Sequence, residues 1–123
     1  MINIKFDPFD FMVIAENLSN GNSEGHFRTS VSRAYYSVFL DTREKIEGRI
    51  GKISLQRPGD IHQVLIDRLK EMKLGAIADK LVQLRMWRRN SDYDLTRSID
   101  QQLAKKALVL AKDLRRKVHQ DLS

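Results

Sequence analysis

The sequence predicts an all-α fold, a bundle of helices in a single domain that spans residues 1–123. Apolar residues recur at intervals of three and four, no stretch alternates with period two for long enough to indicate a strand, and most connections are short. Hydrophobic residues make up 41% and charged residues 31% of the chain, which is enough apolar material for one core. Helix packed on helix is the expected architecture.

The first predicted helix begins at Asp7 and Pro8, which supply a cap and a proline at the first helical position. Residues 20–22, Asn-Gly-Asn, end this helix. Its positions at helical spacing are Phe9, Met12, Val13 and Glu16. We expect a short amphipathic helix.

The second predicted helix is long and central, opened by Ser23 or a neighbour and ended by Gly48. Its apolar positions are Phe27, Val31, Ala34, Tyr35, Val38 and Ile46. Residues 49–57 contain basic side chains and no acid, and they run into Pro58, which disfavours helix at the residue before it. We predict a mobile basic loop there.

Three more helices follow in the second half of the chain. Ile61, Leu65, Leu69 and Met72 mark the third helix, and Ile77, Leu81 and Leu84 mark the fourth. Gly75 is predicted to separate these two helices, and residues 91–96 break the pattern of the fourth. Ser98 with Gln101 resembles a capping box for the last helix. Its apolar positions are Ile99, Leu103, Ala107, Leu110, Leu114 and Val118.

Composition excludes several classes of site. The chain has no cysteine, which rules out disulfides, thiolate metal sites and thiol nucleophiles. Its apolar stretches fall far short of the ~20 residues that span a bilayer, and the N-terminus shows no signal-peptide pattern. We therefore predict a cytoplasmic protein without a membrane partner. The net charge of +6 points either to polyanionic partners or to a solvated positive face.

Residues 85–93 form the densest polar cluster. The apolar series 77, 81, 84 of the fourth helix continues at Arg88, so Arg88 is predicted to face inward, with Arg85 and Arg89 on the border of that face. If the helix persists, Asp92 lies one turn beyond Arg88.

Two interpretations of this cluster stay open. Arg88 can be buried and paired with Asp92 or with another helix, as a device that specifies the fold. Alternatively, the guanidinium groups and Asn90 hold a phosphate, because the planar arginine fork matches phosphate oxygens and stays charged.

Two segments resemble the HEPN superfamily: residues 32–39, which read S-R-A-Y-Y-S-V-F, and residues 84–95, which contain R-R-N-S-D-Y. The resemblance is to small prokaryotic HEPN proteins that read R-A-Y-Y early and R-x-x-A-D-Y late, with serine for alanine here. It implies an up-and-down bundle of four long helices plus a short one. It also implies a homodimer whose late motifs face a shared cleft.

Many HEPN proteins are metal-independent endoribonucleases of toxin-antitoxin or defence systems, and their motif is an arginine, a polar residue and a later histidine. By resemblance, Arg88, Arg89 and Asn90 contact the scissile phosphate, with either arginine as the motif residue. Tyr93 stands where the histidine is expected. Because tyrosine titrates near ~10 and histidine near ~6.5, Tyr93 can orient or donate a proton but is a poor base. We therefore expect weakened or lost catalysis.

Other candidates surround this motif. Arg85, Lys52 and Arg57 are candidate phosphate or RNA contacts. The resemblance implies that Arg33 pairs with Asp92 in a structural role. Lysines and arginines of the last helix form either a phosphate footprint or a solvated face: Lys105, Lys106, Lys112, Arg115, Arg116 and Lys117.

The histidines and aromatic residues receive ordinary interpretations. His26, His62 and His119 have no partner at metal-ligand spacing, so we predict no metal and no cofactor. Of the three, only His62 keeps functional interest, because it follows the basic loop at the start of the third helix. Tyr35, Tyr36 and Phe39 are predicted core residues rather than a base-stacking platform.

The functional hypothesis is an RNA-directed HEPN protein, with endoribonuclease activity as its enzymatic form. The alternative is a non-catalytic HEPN module that dimerises and binds a nucleotide or a nucleotidyltransferase-like antitoxin subunit. A plain structural adaptor explains the arginine cluster least well.

Overall fold

The computed structural model describes residues 5–122, and within that range it contains five α-helices and no strand. The all-α prediction is confirmed. The helices are α1 (Phe9–Ser19), α2 (Glu24–Ile50), α3 (Ile61–Glu71), α4 (Gly75–Tyr93) and α5 (Gln101–Leu122), with a 3-10 turn at Pro58–Asp60. Residues 1–4 and 123 of the predicted domain lie outside the described range. No described helix combines the length and apolarity needed to cross a membrane.

The longest helix, α2, organises the bundle because it packs against α1, α4 and α5, whereas α3 packs against α4. Small polar residues let α1 and α2 approach closely. Ser30 Oγ donates to the carbonyl of Ala15 at 2.6 Å, and Ser37 Oγ donates to the carbonyl of Pro8 at 2.8 Å. Tyr35 and Phe39 of α2 are buried, as expected for core residues.

The inward face of α1 differs from the predicted apolar positions. Met12 and Ala15 are buried, whereas Phe9 and Val13 are exposed. The start of α1 follows the prediction, since Asp7 Oδ1 accepts a hydrogen bond from the Phe9 N–H at 3.0 Å. Asp7 therefore bonds the start of α1 as predicted, but Pro8 lies at the N-cap instead of the first helical position, and the buried stripe was predicted only in part.

The predicted end of α2 at Gly48 is wrong. The helix starts as expected, with Ser23 Oγ accepting from the His26 N–H, but it continues to Ile50 and ends at Gly51, whose φ is +90°. Glycine costs a helix interior only about 1 kcal/mol, which tertiary packing can outweigh. The basic loop is consequently shorter, and Arg49 belongs to α2.

The α3–α4 junction is a helix-ending motif centred on Lys73, whose φ of 63° is left-handed. The Leu74 N–H donates to the Leu69 carbonyl at 2.9 Å, and the Lys73 N–H donates to the Lys70 carbonyl at 3.0 Å. These two bonds are those of a Schellman motif. Gly75, predicted as the break, is instead the first residue of α4.

Replacing Lys73 with glycine is expected to raise the free energy of unfolding by about 1 kcal/mol, because glycine adopts a positive φ without the Cβ penalty. Urea denaturation followed by circular dichroism measures this change. The matched control, Lys70→Gly within α3, should destabilise by a similar amount. A Lys73→Gly variant no more stable than the wild type would contradict this account of the junction.

The last two helices place the motif residues. Because α4 continues to Tyr93, Asp92 lies one turn beyond Arg88, as predicted for a persisting helix. The predicted Ser98 cap of α5 is wrong: Asp100 Oδ1 accepts from the Leu103 N–H at 2.9 Å, as aspartate at an N-cap commonly does.

Candidate functional site

A cleft of about 800 Å³ lies between α3 and α4 and is called the α3–α4 cleft below. Its lining residues are Gln63, Ile66, Val82, Arg85, Met86, Arg89, Asn90, Tyr93 and Asp94. Arg85, Arg89 and Tyr93 follow one another at intervals of four, so they share one face of α4. The structure therefore brings four of the predicted site residues together in this cleft, namely Arg85, Arg89, Asn90 and Tyr93.

Arg88 lies behind the cleft rather than in its wall. It is 6% exposed, and its Nη1 lies 3.6 Å from Asp92 Oδ2. Its guanidinium carbon lies 5.4 Å from the Tyr35 ring centroid, 5.5 Å from that of Tyr36 and 5.9 Å from that of Tyr93. The inward direction of Arg88 is as predicted, and its contacts match the structural interpretation of this residue.

The direct Arg33–Asp92 pair implied by the resemblance does not form among the described residues. Instead, Ser32 links the two: Arg33 Nη2 donates to Ser32 Oγ at 3.3 Å, and Ser32 Oγ donates to Asp92 Oδ2 at 3.3 Å. The Arg33 guanidinium lies over the Phe11 ring at 4.9 Å. The arginine that pairs with Asp92 is Arg88, which lies one helical turn before it on α4.

Arg28 donates hydrogen bonds to backbone carbonyls at and just beyond the C-terminal end of α4. Its Nη1 donates to the carbonyls of Asn90 at 3.4 Å and Ser91 at 2.9 Å, and its Nη2 donates to those of Asp94 at 3.1 Å and Arg97 at 2.6 Å. The last carbonyls of a helix have no partner within the helix, so this arginine supplies one. Sequence reasoning missed this role because the contacts join positions more than sixty residues apart.

The arginines of the cleft retain unused hydrogen-bonding capacity. Arg85 makes one long hydrogen bond, 3.5 Å from Nη1 to Gln63 Oε1, and its Nε has no partner within residues 5–122. Arg89 is exposed, and no described carboxylate pairs with it. The nearby Asp94 carboxylate accepts hydrogen bonds from Thr96, which lower its pKa, and its negative charge is paired with Arg97, 2.9 Å from Nε to Oδ2. The positive charge of the cleft is therefore left for a ligand.

Tyr93 and two apolar side chains form the exposed rim of the α3–α4 cleft. Tyr93 is 74% exposed, and Val82 and Met86 are also exposed. The Tyr93 hydroxyl is thus accessible to a ligand, and its ring offers a flat surface beside the arginines.

His62 has a partner that the sequence did not reveal. Its Nδ1 lies 2.7 Å from the Tyr35 hydroxyl, and its ring stacks on Phe39 with 4.5 Å between centroids. Burial lowers the pKa of His62 to about 4, and the positive charges of Arg85, Arg88 and Arg89 on α4 contribute to this decrease. The imidazole is consequently neutral at physiological pH.

Two predicted phosphate contacts lie outside the cleft. Lys52 and Arg57 belong to the connection between α2 and the 3-10 turn, and Arg57 Nε lies 3.3 Å from Asp60 Oδ2. Neither residue lines the cleft that contains Arg85, so the structure does not join them to it. The described residues also contain no group of three His, Asp or Glu side chains placed to hold a metal ion.

Part of the basic side of α5 is paired with acidic neighbours. Lys112 Nζ lies 2.8 Å from Glu16, and Asp113 pairs with Lys80, Arg116 and Lys117. These pairs favour the solvated-face interpretation of α5 over a phosphate footprint.

No protein-family model and no solved structure matches the chain. The chain is similar to an uncharacterized protein of Methanocaldococcus jannaschii, with 32% identity over 114 residues. This alignment covers 76% of the chain and 64% of the archaeal protein, so the chain spans just under two thirds of that relative's length. The comparison assigns no activity.

Proposed function

We propose that this chain is a HEPN-like, RNA-directed protein that binds a phosphodiester in the α3–α4 cleft. The observation that carries the proposal is that Arg85 and Arg89 lie together in this cleft without a described carboxylate partner. Guanidinium groups bind phosphate oxygens through paired, charge-assisted hydrogen bonds. The exposed Tyr93 ring beside them is suited to stacking on an unpaired base.

The proposed roles follow from which residues can reach a ligand. Arg85, Arg89 and Asn90 contact the phosphate, and Tyr93 orients the RNA or donates a proton. Arg88 acts from behind by holding Asp92 and the aromatic rings. Losing a positioned histidine typically costs ~10² to 10⁴ in rate, so cleavage by this site is slow or lost. A metal-independent endoribonuclease of a toxin-antitoxin or defence system is the corresponding enzymatic form.

The second candidate is a non-catalytic module that binds a protein, such as a nucleotidyltransferase-like antitoxin, or a second copy of the chain. It is favoured by exposed apolar side chains, Val82 and Met86 in the cleft wall and Leu95 two residues beyond Tyr93. Methionine, aromatic residues and arginine are enriched where proteins meet.

Removing both cleft arginines is expected to weaken RNA binding at least about tenfold, because each charge-assisted contact contributes roughly 1.5–3 kcal/mol. The measurement is fluorescence anisotropy of a labelled single-stranded RNA in EDTA, with wild type and the Arg85→Ala/Arg89→Ala variant. The control, Lys106→Ala/Arg116→Ala, removes the same charge from α5 and should bind within about twofold of the wild type.

The same samples, analysed on a denaturing gel, separate the candidates. Products that form in EDTA with the wild type and vanish with the arginine variant support the endoribonuclease. Binding without products supports a non-catalytic RNA-binding form. Equal losses in the variant and its control would refute a site in the cleft, and no RNA binding by the wild type would leave the protein-binding candidate.

A further inference from the structure

His62 lies on the part of α3 that contributes Gln63 and Ile66 to the wall of the α3–α4 cleft. Phe39 packs against one face of the imidazole, and the Tyr35 hydroxyl meets Nδ1 at 2.7 Å. Tyr35 is fully buried. The ring is therefore held in one orientation by two residues of α2.

The hydrogen bond to Tyr35 decides where the imidazole carries its proton. Burial raises the pKa of the Tyr35 phenol, so the phenol stays protonated at neutral pH. Within residues 5–122 this hydroxyl has no other hydrogen-bond partner, so its O–H donates to Nδ1 of His62. A neutral imidazole carries a single N–H. With Nδ1 accepting, that N–H lies on Nε2.

The Nε2–H of His62 is available to a ligand. Nε2 has no hydrogen-bond partner among the described residues. It is not sealed from solvent, because it retains some accessible surface. The charged groups that act on the ring are Arg85, Arg88 and Arg89 from α4, and Tyr36 of α2 also contacts it. An uncharged and partly exposed donor thus lies in the neighbourhood of three guanidinium groups.

We propose that His62 is a further RNA-binding residue, whose Nε2–H donates to a non-bridging phosphate oxygen held by Arg85 and Arg89. This inference rests on the proposed function. A donor fits the geometry better than a general base, because Tyr35 occupies the lone pair of Nδ1 and Nε2 already bears the proton. Tyr35 is then a positioning residue that selects the tautomer.

Replacing His62 with phenylalanine tests the donor. Phenylalanine retains an aromatic ring against Phe39 but offers no N–H. We expect roughly tenfold weaker binding of a 2′-O-methyl RNA oligonucleotide, which cannot be cleaved, when binding is measured well below the melting temperature. The melting temperature itself should fall, because the buried Tyr35 hydroxyl loses its hydrogen-bond partner. The control His119→Gln changes a histidine that pairs with Asp41 on another face and should bind like the wild type.

Replacing Tyr35 with phenylalanine tests the positioning role. Nitrogen NMR of labelled histidine should show the Nε2–H tautomer of His62 in the wild type and a mixture of tautomers in Tyr35→Phe. RNA binding should weaken in Tyr35→Phe alone, yet this substitution should add nothing in the His62→Phe background. Additive losses would show a merely structural effect of Tyr35.

The outcomes separate this inference from the proposed function. If Arg85→Ala/Arg89→Ala loses RNA binding while His62→Phe binds normally, the role of His62 is refuted and the RNA site stands. An Nδ1–H tautomer in the wild type also overturns the role of His62. A wild type that does not bind the oligonucleotide removes both proposals.

Discussion

Replacing Arg88 with alanine is expected to lower the free energy of unfolding by roughly 3 kcal/mol, the largest stability loss of any single substitution at the motif. The guanidinium is 6% exposed, is paired with Asp92 and lies over three tyrosine rings. Removing one partner of a buried pair costs about 3–5 kcal/mol, and the partial exposure of Asp92 reduces that figure. Truncation also leaves a cavity behind Tyr35.

Urea denaturation of two matched variants separates charge from volume. Arg88→Met retains much of the side-chain volume and should be more stable than Arg88→Ala, because it removes only the ion pair and the cation–π interactions. Arg89→Ala, one position along α4 and exposed, should change stability by less than about 0.5 kcal/mol. Equal stability of Arg88→Ala and Arg89→Ala would disprove the structural role of Arg88.

Replacing Arg28 with alanine is expected to cost roughly 2–3 kcal/mol of unfolding free energy and to loosen the end of α4. The substitution removes four hydrogen bonds, of 2.6 to 3.4 Å, to backbone carbonyls between Asn90 and Arg97. Each such bond from a charged donor contributes about 1 kcal/mol or more when its acceptor is shielded from water, and solvent replaces part of it here.

Amide hydrogen exchange provides the sharper measurement for Arg28. In Arg28→Ala, the exchange rate should increase much more at residues 90–97 than in α5, because only the end of α4 loses the hydrogen bonds from Arg28. Arg28→Lys is the matched control: it keeps the charge but offers a single ammonium in place of the planar fork, so it should restore only part of the protection. Unchanged exchange at residues 90–97 in Arg28→Ala would contradict this role.

Arg28 and Arg88 together explain how the cleft is presented. Arg88 holds the last turn of α4 against the aromatic residues of α2, and Arg28 satisfies the carbonyls where α4 ends. Arg89 and Tyr93 are then exposed on the other face of the same turn. We infer that a variant of either Arg28 or Arg88 will also reduce RNA binding, through displacement of these residues.

The parts of the site that were predictable depend on local periodicity. The spacing of Ile77, Leu81 and Leu84 was enough to direct Arg88 inward and to place Arg85 and Arg89 at the border, because a helix repeats every 3.6 residues. The same logic assigned Tyr35 and Phe39 to the core.

The parts that were not predictable depend on distant contacts or on packing that overrides local preference. The Tyr35–His62 bond joins positions 27 apart, and no local pattern marks it. Gly48 and Gly75 are breakers by propensity, yet Gly48 lies within α2 and Gly75 begins α4, and the two helix ends lie at the positive-φ residues Gly51 and Lys73 instead. HEPN membership and RNA as the ligand stay predictions from resemblance and from the charge of the cleft.

The salt dependence of RNA binding tests the central claim most directly. The slope of log affinity against log salt concentration is negative. For a single-stranded ligand, its magnitude should decrease by about 0.7 for every arginine that no longer neutralises a phosphate. We predict that Arg85→Ala/Arg89→Ala lowers the magnitude of the slope by about 1.4 relative to the wild type, with no change for Lys106→Ala/Arg116→Ala. Parallel lines for wild type and the cleft variant would show that these two arginines do not bind phosphate.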